Sequence, residues 1–166
     1  MYESDINRET NEALFQQIVE EIWSGDLSAY DEIFAADAII HTPFETFTDR
    51  TAYRAYVEES IEIVPDFRVE LHDVLSEGDT VAGRFTQRGT QTGAAPRMQL
   101  PATGRAFVLP GANFARFNNG RCVEMWTIWD KMEFVEQLGL LPDSPTKIFR
   151  LMIGQLKNRL SSRSKS

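Results

Sequence analysis

The chain has 166 residues, 42% of them hydrophobic and 11% aromatic, with a formal net charge of −8. This length suits one domain with a substantial core, and the composition excludes a disordered or membrane-embedded chain. The acidic balance argues against a nucleic-acid surface over most of the domain. The charge is unevenly spread: residues 143–166 carry Lys147, Arg150, Lys157, Arg159, Arg163 and Lys165 against Asp143 alone, a local +5. Cys122 is the one cysteine, so no intrachain disulfide can form and a reducing cytoplasm is the expected compartment. Met1 to Thr10 is polar and acidic, without the basic and apolar regions of a signal peptide. No apolar run approaches the ~18 residues of a spanning helix.

The first element is helical. Leu14, Ile18 and Ile22 recur every four residues beside Phe15 and Val19, and Glu12, Gln16 and Glu20 fill the opposite face. This periodicity predicts a helix from about Asn7 to Trp23, stopped at Ser24-Gly25. Asp26 or Ser28 would cap a short second helix through Phe34. Residues 38–42 read as a short strand ended by Pro43. Thr48 or Asp49 caps a third helix from Thr51 to about Val64, closed by Pro65.

After Pro65 the pattern becomes that of strands. Phe67, Val69 and Leu71 alternate with Arg68, Glu70 and His72. Glu77-Gly78-Asp79 is a turn. A long strand follows from Thr80 to about Thr90, with Val81, Gly83, Phe85 and Gln87 on one face and Arg84 and Arg88 on the other. Residues 91–105 form a long irregular stretch of the kind that often serves as a lid or rim. Strands over 107–117 and 121–130 are joined by Asn118-Asn119-Gly120, a hairpin signal because Asn and Gly tolerate positive φ. A last short helix runs from Lys131 to Leu138. Helices first and antiparallel strands after read as an α+β domain over 1–142. Residues 143–166 read as a basic amphipathic helix over about 144–160 followed by a disordered tail. That helix would dock on its own domain or on a partner subunit; attachment to a membrane surface is the lesser alternative.

Residues able to carry chemistry are few. On the last strand, period two puts Trp126, Ile128 and Asp130 on one face. A carboxylate among apolar groups loses solvation, which raises its pKa toward values useful for proton transfer. Asp130 is thus a candidate general acid/base at the polar end of a pocket. Asp130-Lys131-Met132-Glu133 also fits a capping box, in which Asp130 would only cap the last helix. His41, at a strand end before Thr42-Pro43-Phe44, could shuttle a proton or orient a carbonyl; a structural histidine is the commoner case. No metal-ligand spacing and no Gly-x-Ser-x-Gly nucleophile motif occurs in the sequence.

In order and spacing the chain resembles the SnoaL-like polyketide cyclases of the nuclear-transport-factor-2-like superfamily. The resemblance is carried by Gly25-Asp26-Leu27 through Asp37, His41-Thr42-Pro43, Pro65-Asp66-Phe67 and Gly89-Thr90-Gln91-Thr92-Gly93. It continues in Pro101-Ala102-Thr103-Gly104-Arg105, Phe117-Asn118-Asn119-Gly120 and Trp126 to Asp130. It implies a cone-shaped curved antiparallel sheet with helices enclosing an apolar cavity. It also implies aldol-type ring closure with no metal or cofactor, a strand-end aspartate as general acid/base, matched by Asp130, and a homodimer through the sheet, where Arg84 and Arg88 would lie. The cyclases carry a histidine on the preceding strand; here Asn113 or Arg116 stands in that region.

The expected function is a cyclase or isomerase for a largely apolar, polyketide-like carbonyl compound. Asp130 and His41 would be catalytic, and Trp126, Phe85, Phe44, Asn113 and Arg116 would contact substrate. A non-catalytic ligand-binding or dimeric scaffold domain is the alternative. Epoxide hydrolysis, which needs an inward Asp-Arg-Asp array, is weaker still.

Overall fold

The computed structural model describes residues 2–141, with side chains from Glu9 onward. Helix α1 covers Tyr2–Gln16. It runs on through a widened π turn over Gln17–Glu21 and a tight 3-10 turn over Ile22–Ser24. Gly25 then ends it at φ +100, a left-handed conformation that costs glycine little. Phe15, Ile18, Val19 and Ile22 are buried, as the four-residue repeat requires. Outside, Glu20 accepts a hydrogen bond from the Leu71 amide at 3.2 Å. That amide lies where β3 (Arg68–Glu77) shifts register between Leu71 and Asp73. The irregular turn of the helix is therefore joined to the irregular step of the strand it covers.

The short helix α2 is Tyr30–Ile33, with Ala29 at its N-cap. Neither expected cap acts there: Asp26 instead accepts from the Ser28 amide at 3.0 Å. This local turn competes with capping for the same carboxylate. Strand β1 covers Phe34–His41 and starts earlier than the alternation suggests. Its pairing with β6 (Arg121–Trp129) breaks register between Phe34 and Ile39, which interrupts the period-two pattern. Strand β2, Thr46–Phe47, is too short to leave a periodic signal; it pairs with Ile40 and His41. Helix α3, Arg50–Ile63, is capped by Asp49, which accepts from the Ala52 amide at 2.8 Å.

The remaining strands follow the expected order: β4 over Thr80–Gln91 and β5 over Arg105–Asn118, with α4 over Lys131–Gln137 after β6. The six strands form one curved sheet, β2-β1-β6-β5-β4-β3, antiparallel except between β1 and β6. The fold is α+β, as expected.

One face of the sheet packs on the helices. Tyr30, Phe34, Phe47, Tyr53 and Tyr56 form an aromatic cluster under α3. At the other end, Phe107 and Leu109 meet Phe134 of α4 (Lys131–Gln137) and Leu138 at its C-terminal cap. There β5 runs past the end of β6, and the Gln137 side chain replaces the missing strand. It accepts from the Val108 amide at 2.7 Å and donates to the Val108 carbonyl at 2.9 Å. The expected helix over 144–160 lies outside the described residues. No helix among the described residues is long and apolar enough to cross a membrane.

Cys122 is wholly buried, and burial pushes its thiol up to about 12 because the thiolate would lose its solvation. The folded protein is therefore expected to ignore an aromatic disulfide reagent near neutral pH and to react only after denaturation. A fast stoichiometric reaction of the native protein, followed by absorbance, would contradict this packing.

Candidate functional site

The concave face of the sheet does not close fully on the helices. Between them lies a cavity partly open to solvent, with about 830 Å³ of empty space, open solvent included. Its walls are largely aromatic: Trp23, Phe67, Phe85, Phe107, Trp129 and Phe134 all line it. They pack on one another, Trp23 on Phe67 at 5.3 Å and Phe134 edge-on to Phe107 at 4.9 Å between ring centroids. Gly111 makes room for Phe85, since a Cβ there would stand 2.4 Å from the Phe85 ring.

Polar groups are spaced among these rings. Thr42, Tyr56, Ser60, Gln87, Gln91, Asn113 and Thr127 line the cavity. Asn113 lies in the middle of the sheet, opposite Gly83 on β4 and Thr127 on β6. It is 3% exposed, and its Oδ1 has no hydrogen-bond partner among the described residues. A buried acceptor left unpaired costs roughly 1–3 kcal/mol, so this atom marks a place for a ligand donor or a water. Tyr56 is the only titratable side chain among the described lining residues. Burial pushes its phenol up to about 12, so it stays neutral and can donate a proton in a hydrogen bond near neutral pH. The described residues contain no cluster of His, Cys, Asp and Glu able to hold a metal ion. The site is thus an uncharged cavity rich in aromatic side chains with a buried carboxamide in its wall, suited to a neutral, ring-rich molecule.

A family model, the SnoaL-like domain, matches residues 15–125. The chain belongs to the SnoaL-like family. Among solved structures, IdmH from Streptomyces antibioticus, a candidate polyketide cyclase, is 32% identical with a TM-score of 0.67, covering 78% of this chain and 98% of its own. AclR from Streptomyces galilaeus, a candidate hydroxylase, is 23% identical with a TM-score of 0.69, covering 96% of this chain and 99% of its own. A candidate SnoaL-like polyketide cyclase from Jannaschia sp. CCS1 shares the fold at 19% identity, with a TM-score of 0.73 and coverage of 81% and 95%. No curated protein matches the chain.

Within this SnoaL-like cavity the expected site residues take three kinds of place. Phe85 and Asn113 line it. Phe44 stands behind the wall, edge-on to Trp129 at 5.3 Å, with Lys131 Nζ 5.4 Å from its ring centroid. The other four are not in the lining. His41, Trp126 and Arg116 form a cluster on the outer face of the sheet. The His41 ring stacks on Trp126 at 5.3 Å, and the Arg116 guanidinium lies 5.6 Å from the Trp126 ring centroid. Glu124 joins them, 3.4 Å from His41 Nε2 and accepting from Arg116 at 2.9 Å. Asp130 is exposed and caps α4: its Oδ1 accepts from the amides of Met132 at 2.7 Å and Glu133 at 3.2 Å. The expectation that Asp130 and Trp126 face the pocket is corrected accordingly. Arg84 and Arg88, also outward, pair with Asp73 and Glu70 of the neighbouring strand.

The reason is a single step in register. An unbroken hairpin through Asn119-Gly120, started from Asn118 opposite Arg121 and Phe117 opposite Cys122, would set Asn113 against Trp126. The register shifts by one residue between Arg116 and Phe117, and Asn113 instead faces Thr127. A one-residue shift exchanges the two faces of a strand. Thr127 and Trp129 therefore turn inward, and Trp126, Ile128 and Asp130 turn out. The contributions of Trp23 and Thr127 to the cavity had no separate sequence signal. Gln87 and Gln91 had one, since both share the alternation of Phe85, Gln91 lying one residue past the expected end of that strand.

Asp130→Asn is expected to leave stability within a few tenths of a kcal/mol, because asparagine also caps well, whereas Asp130→Ala should cost about 1 kcal/mol. Urea unfolding midpoints of the two variants test this directly. An alanine variant as stable as the parent would mean that the carboxylate does not hold the helix.

Proposed function

We propose that the protein is a cyclase-type enzyme of the SnoaL-like family that folds a neutral, polyketide-like carbonyl compound against the aromatic walls of this cavity and promotes its ring closure. The observation that carries the reading is the unpaired, buried Asn113 Oδ1 in the wall of an uncharged cavity rich in aromatic side chains. Similarity to IdmH over nearly the whole of that chain supports the reaction class.

The chemistry follows from what lines the walls. Holding a flexible chain so that its reacting carbons meet removes much of the entropic part of the barrier. Hydrogen-bond donors aimed at a carbonyl oxygen stabilise the negative charge that develops on it during enolisation and attack. The side-chain amides of Asn113 and Gln87 and the hydroxyls of Thr127 and Tyr56 are the donors available. Asn113 Oδ1 would accept from an enol or phenol hydroxyl of the substrate or product. With no carboxylate or imidazole among the described lining residues, the fitting substrates are those that enolise readily by themselves, such as 1,3-dicarbonyl chains. The Asp130 carboxylate, engaged with two helix amides, is not the base in this reading. The outward Arg116 likewise leaves epoxide opening by an Asp-Arg-Asp array without support.

The same absence of an ionisable base favours a second reading, a cavity that binds such a molecule without transforming it. The two part on one comparison. Asn113→Leu should weaken binding of a neutral bicyclic phenol, 2-naphthol, by roughly 3- to 10-fold, the worth of one hydrogen bond, while leaving the fold at least as stable. Under the enzyme reading it should also slow cyclisation of a linear 3,5-dioxo thioester at saturating substrate, and Asp130→Asn should not. Loss of turnover in Asp130→Asn with binding intact would overturn the reading in favour of a carboxylate base. Binding by the parent protein without any acceleration of ring closure would leave only the second reading.

A further inference from the structure

The segment between β4 and β5, residues 92–104, supplies Ala95, Met98 and Leu100 to the cavity wall. It has little regular structure: a 3-10 turn over Pro96–Met98 and a pair of hydrogen bonds between Ala95 and Leu100, at 2.9 and 3.1 Å. Such a segment needs something to hold it if it is to form a wall of fixed shape. Its outer side is tied by Arg97, which donates to Glu59 at 2.5 Å and to Glu45 at 3.0 Å. These groups are exposed, and ion pairs in water hold little.

The inner side is held by one buried residue. Gln91 is 1% exposed. Its Nε2 donates to the carbonyls of Gly93 at 2.8 Å and Pro101 at 2.9 Å. Its Oε1 accepts from the Thr103 amide at 3.1 Å and from the Thr103 hydroxyl at 2.5 Å. A carboxamide has two N–H donors and two acceptor lone pairs, and all four are used on the two ends of one segment. The Gln91 backbone carbonyl also accepts from the Gly104 amide at 2.9 Å. The start of the segment is fixed to α3 as well, because the amides of Thr92 and Gly93 both donate to the Ile63 carbonyl at 3.0 Å.

We infer that Gln91 is a positioning residue for ligand selection, whose amide draws both ends of the 92–104 segment together and so sets the distance of Met98 and Leu100 from the aromatic wall opposite. The inference rests on the reading of this cavity as the ligand site. Glutamine alone among the side chains of this length supplies donors and acceptors together without charge. A carboxylate in its place turns an oxygen toward two carbonyl oxygens and repels them.

The test is Gln91→Glu, read by 2-naphthol fluorescence titration and by amide hydrogen exchange. At about pH 8 the variant should bind 2-naphthol at least roughly tenfold more weakly than the parent, and at about pH 5 part of that loss should return, because a buried carboxyl is readily protonated and then donates again. The parent should bind equally at both pH values. At the higher pH, exchange of the non-proline amides from Gly93 to Thr103 should be about tenfold faster than in the parent at the same pH, with the β4 and β5 strands unchanged. A residue needed only for overall stability would instead quicken exchange throughout the sheet. Thr103→Val, which removes one of the four bonds, should show a smaller loss without pH dependence, and it decides the matter if Gln91→Glu does not fold. Variants that bind and exchange like the parent at about pH 8 would overturn the inference. If the parent itself fails to bind 2-naphthol, the ligand-site reading fails, and the exchange data alone then judge whether Gln91 holds the segment.

Discussion

The site depends on one irregularity, the register shift in the β5–β6 hairpin. Beyond it, every residue of β6 from Glu124 to Trp129 presents the face opposite to the one a regular hairpin would give. Inward, this places Met125, Thr127 and Trp129 over the core and cavity. Outward, it places Trp126 between His41 and Arg116, leaves Ile128 half-exposed, and frees Asp130 to turn back onto the amides of α4. A bulge of this kind costs one ladder position and bends the strand. The sheet presents its concave face to the helices, and the aromatic rings line the space left between them.

Irregularity recurs on other sides of the cavity, beside the regular α3 and β4 residues that also line it. The π and 3-10 turns at the end of the first helix present Val19 and Trp23 to the cavity, and the Glu20 carboxylate ties that turn to the β3 amide at a second register shift. The 92–104 segment closes another side, hung on Gln91. Regular elements pack densely and leave little room. The hollow lies where the regular pattern is broken and the freed polar groups are met by side chains: Glu20, Gln91 and Gln137. Satisfying those groups within the protein leaves Asn113 Oδ1 as the fully buried acceptor without a partner among the described lining residues, and that contrast is why it stands out as a recognition point.

Much of the fold was legible because its signals are local. The four-residue repeat of Leu14, Ile18 and Ile22, the Asp49 cap, the alternation about Phe85 and the Asn-Gly turn each depend on a few neighbouring residues. The candidate site was legible in part. Phe85 follows from strand periodicity, whereas Asn113 and Arg116, three apart on β5, fall on opposite faces and periodicity does not say which looks inward. The role of Asp130 could not be settled from its neighbours, since the same four residues read equally as a capping box and as the polar end of an inward face. Tyr56 and Gln91 reach the cavity from a helix and a strand end, and no spacing in the chain relates them.

By itself, the sequence determined that this is an α+β chain of helices followed by an antiparallel meander, with an aromatic interior and membership of a broad family. Those properties follow from periodicity and turn chemistry, which act over a few residues at a time. Only the tertiary structure decided which face of β6 looks inward. Alternation specifies that Trp126, Ile128 and Asp130 lie together, but both faces of that strand carry a tryptophan and apolar neighbours, so burial does not choose between them locally. The choice is made by pairing with β5, one residue out of step, and with it Asp130 passes from the pocket to the helix.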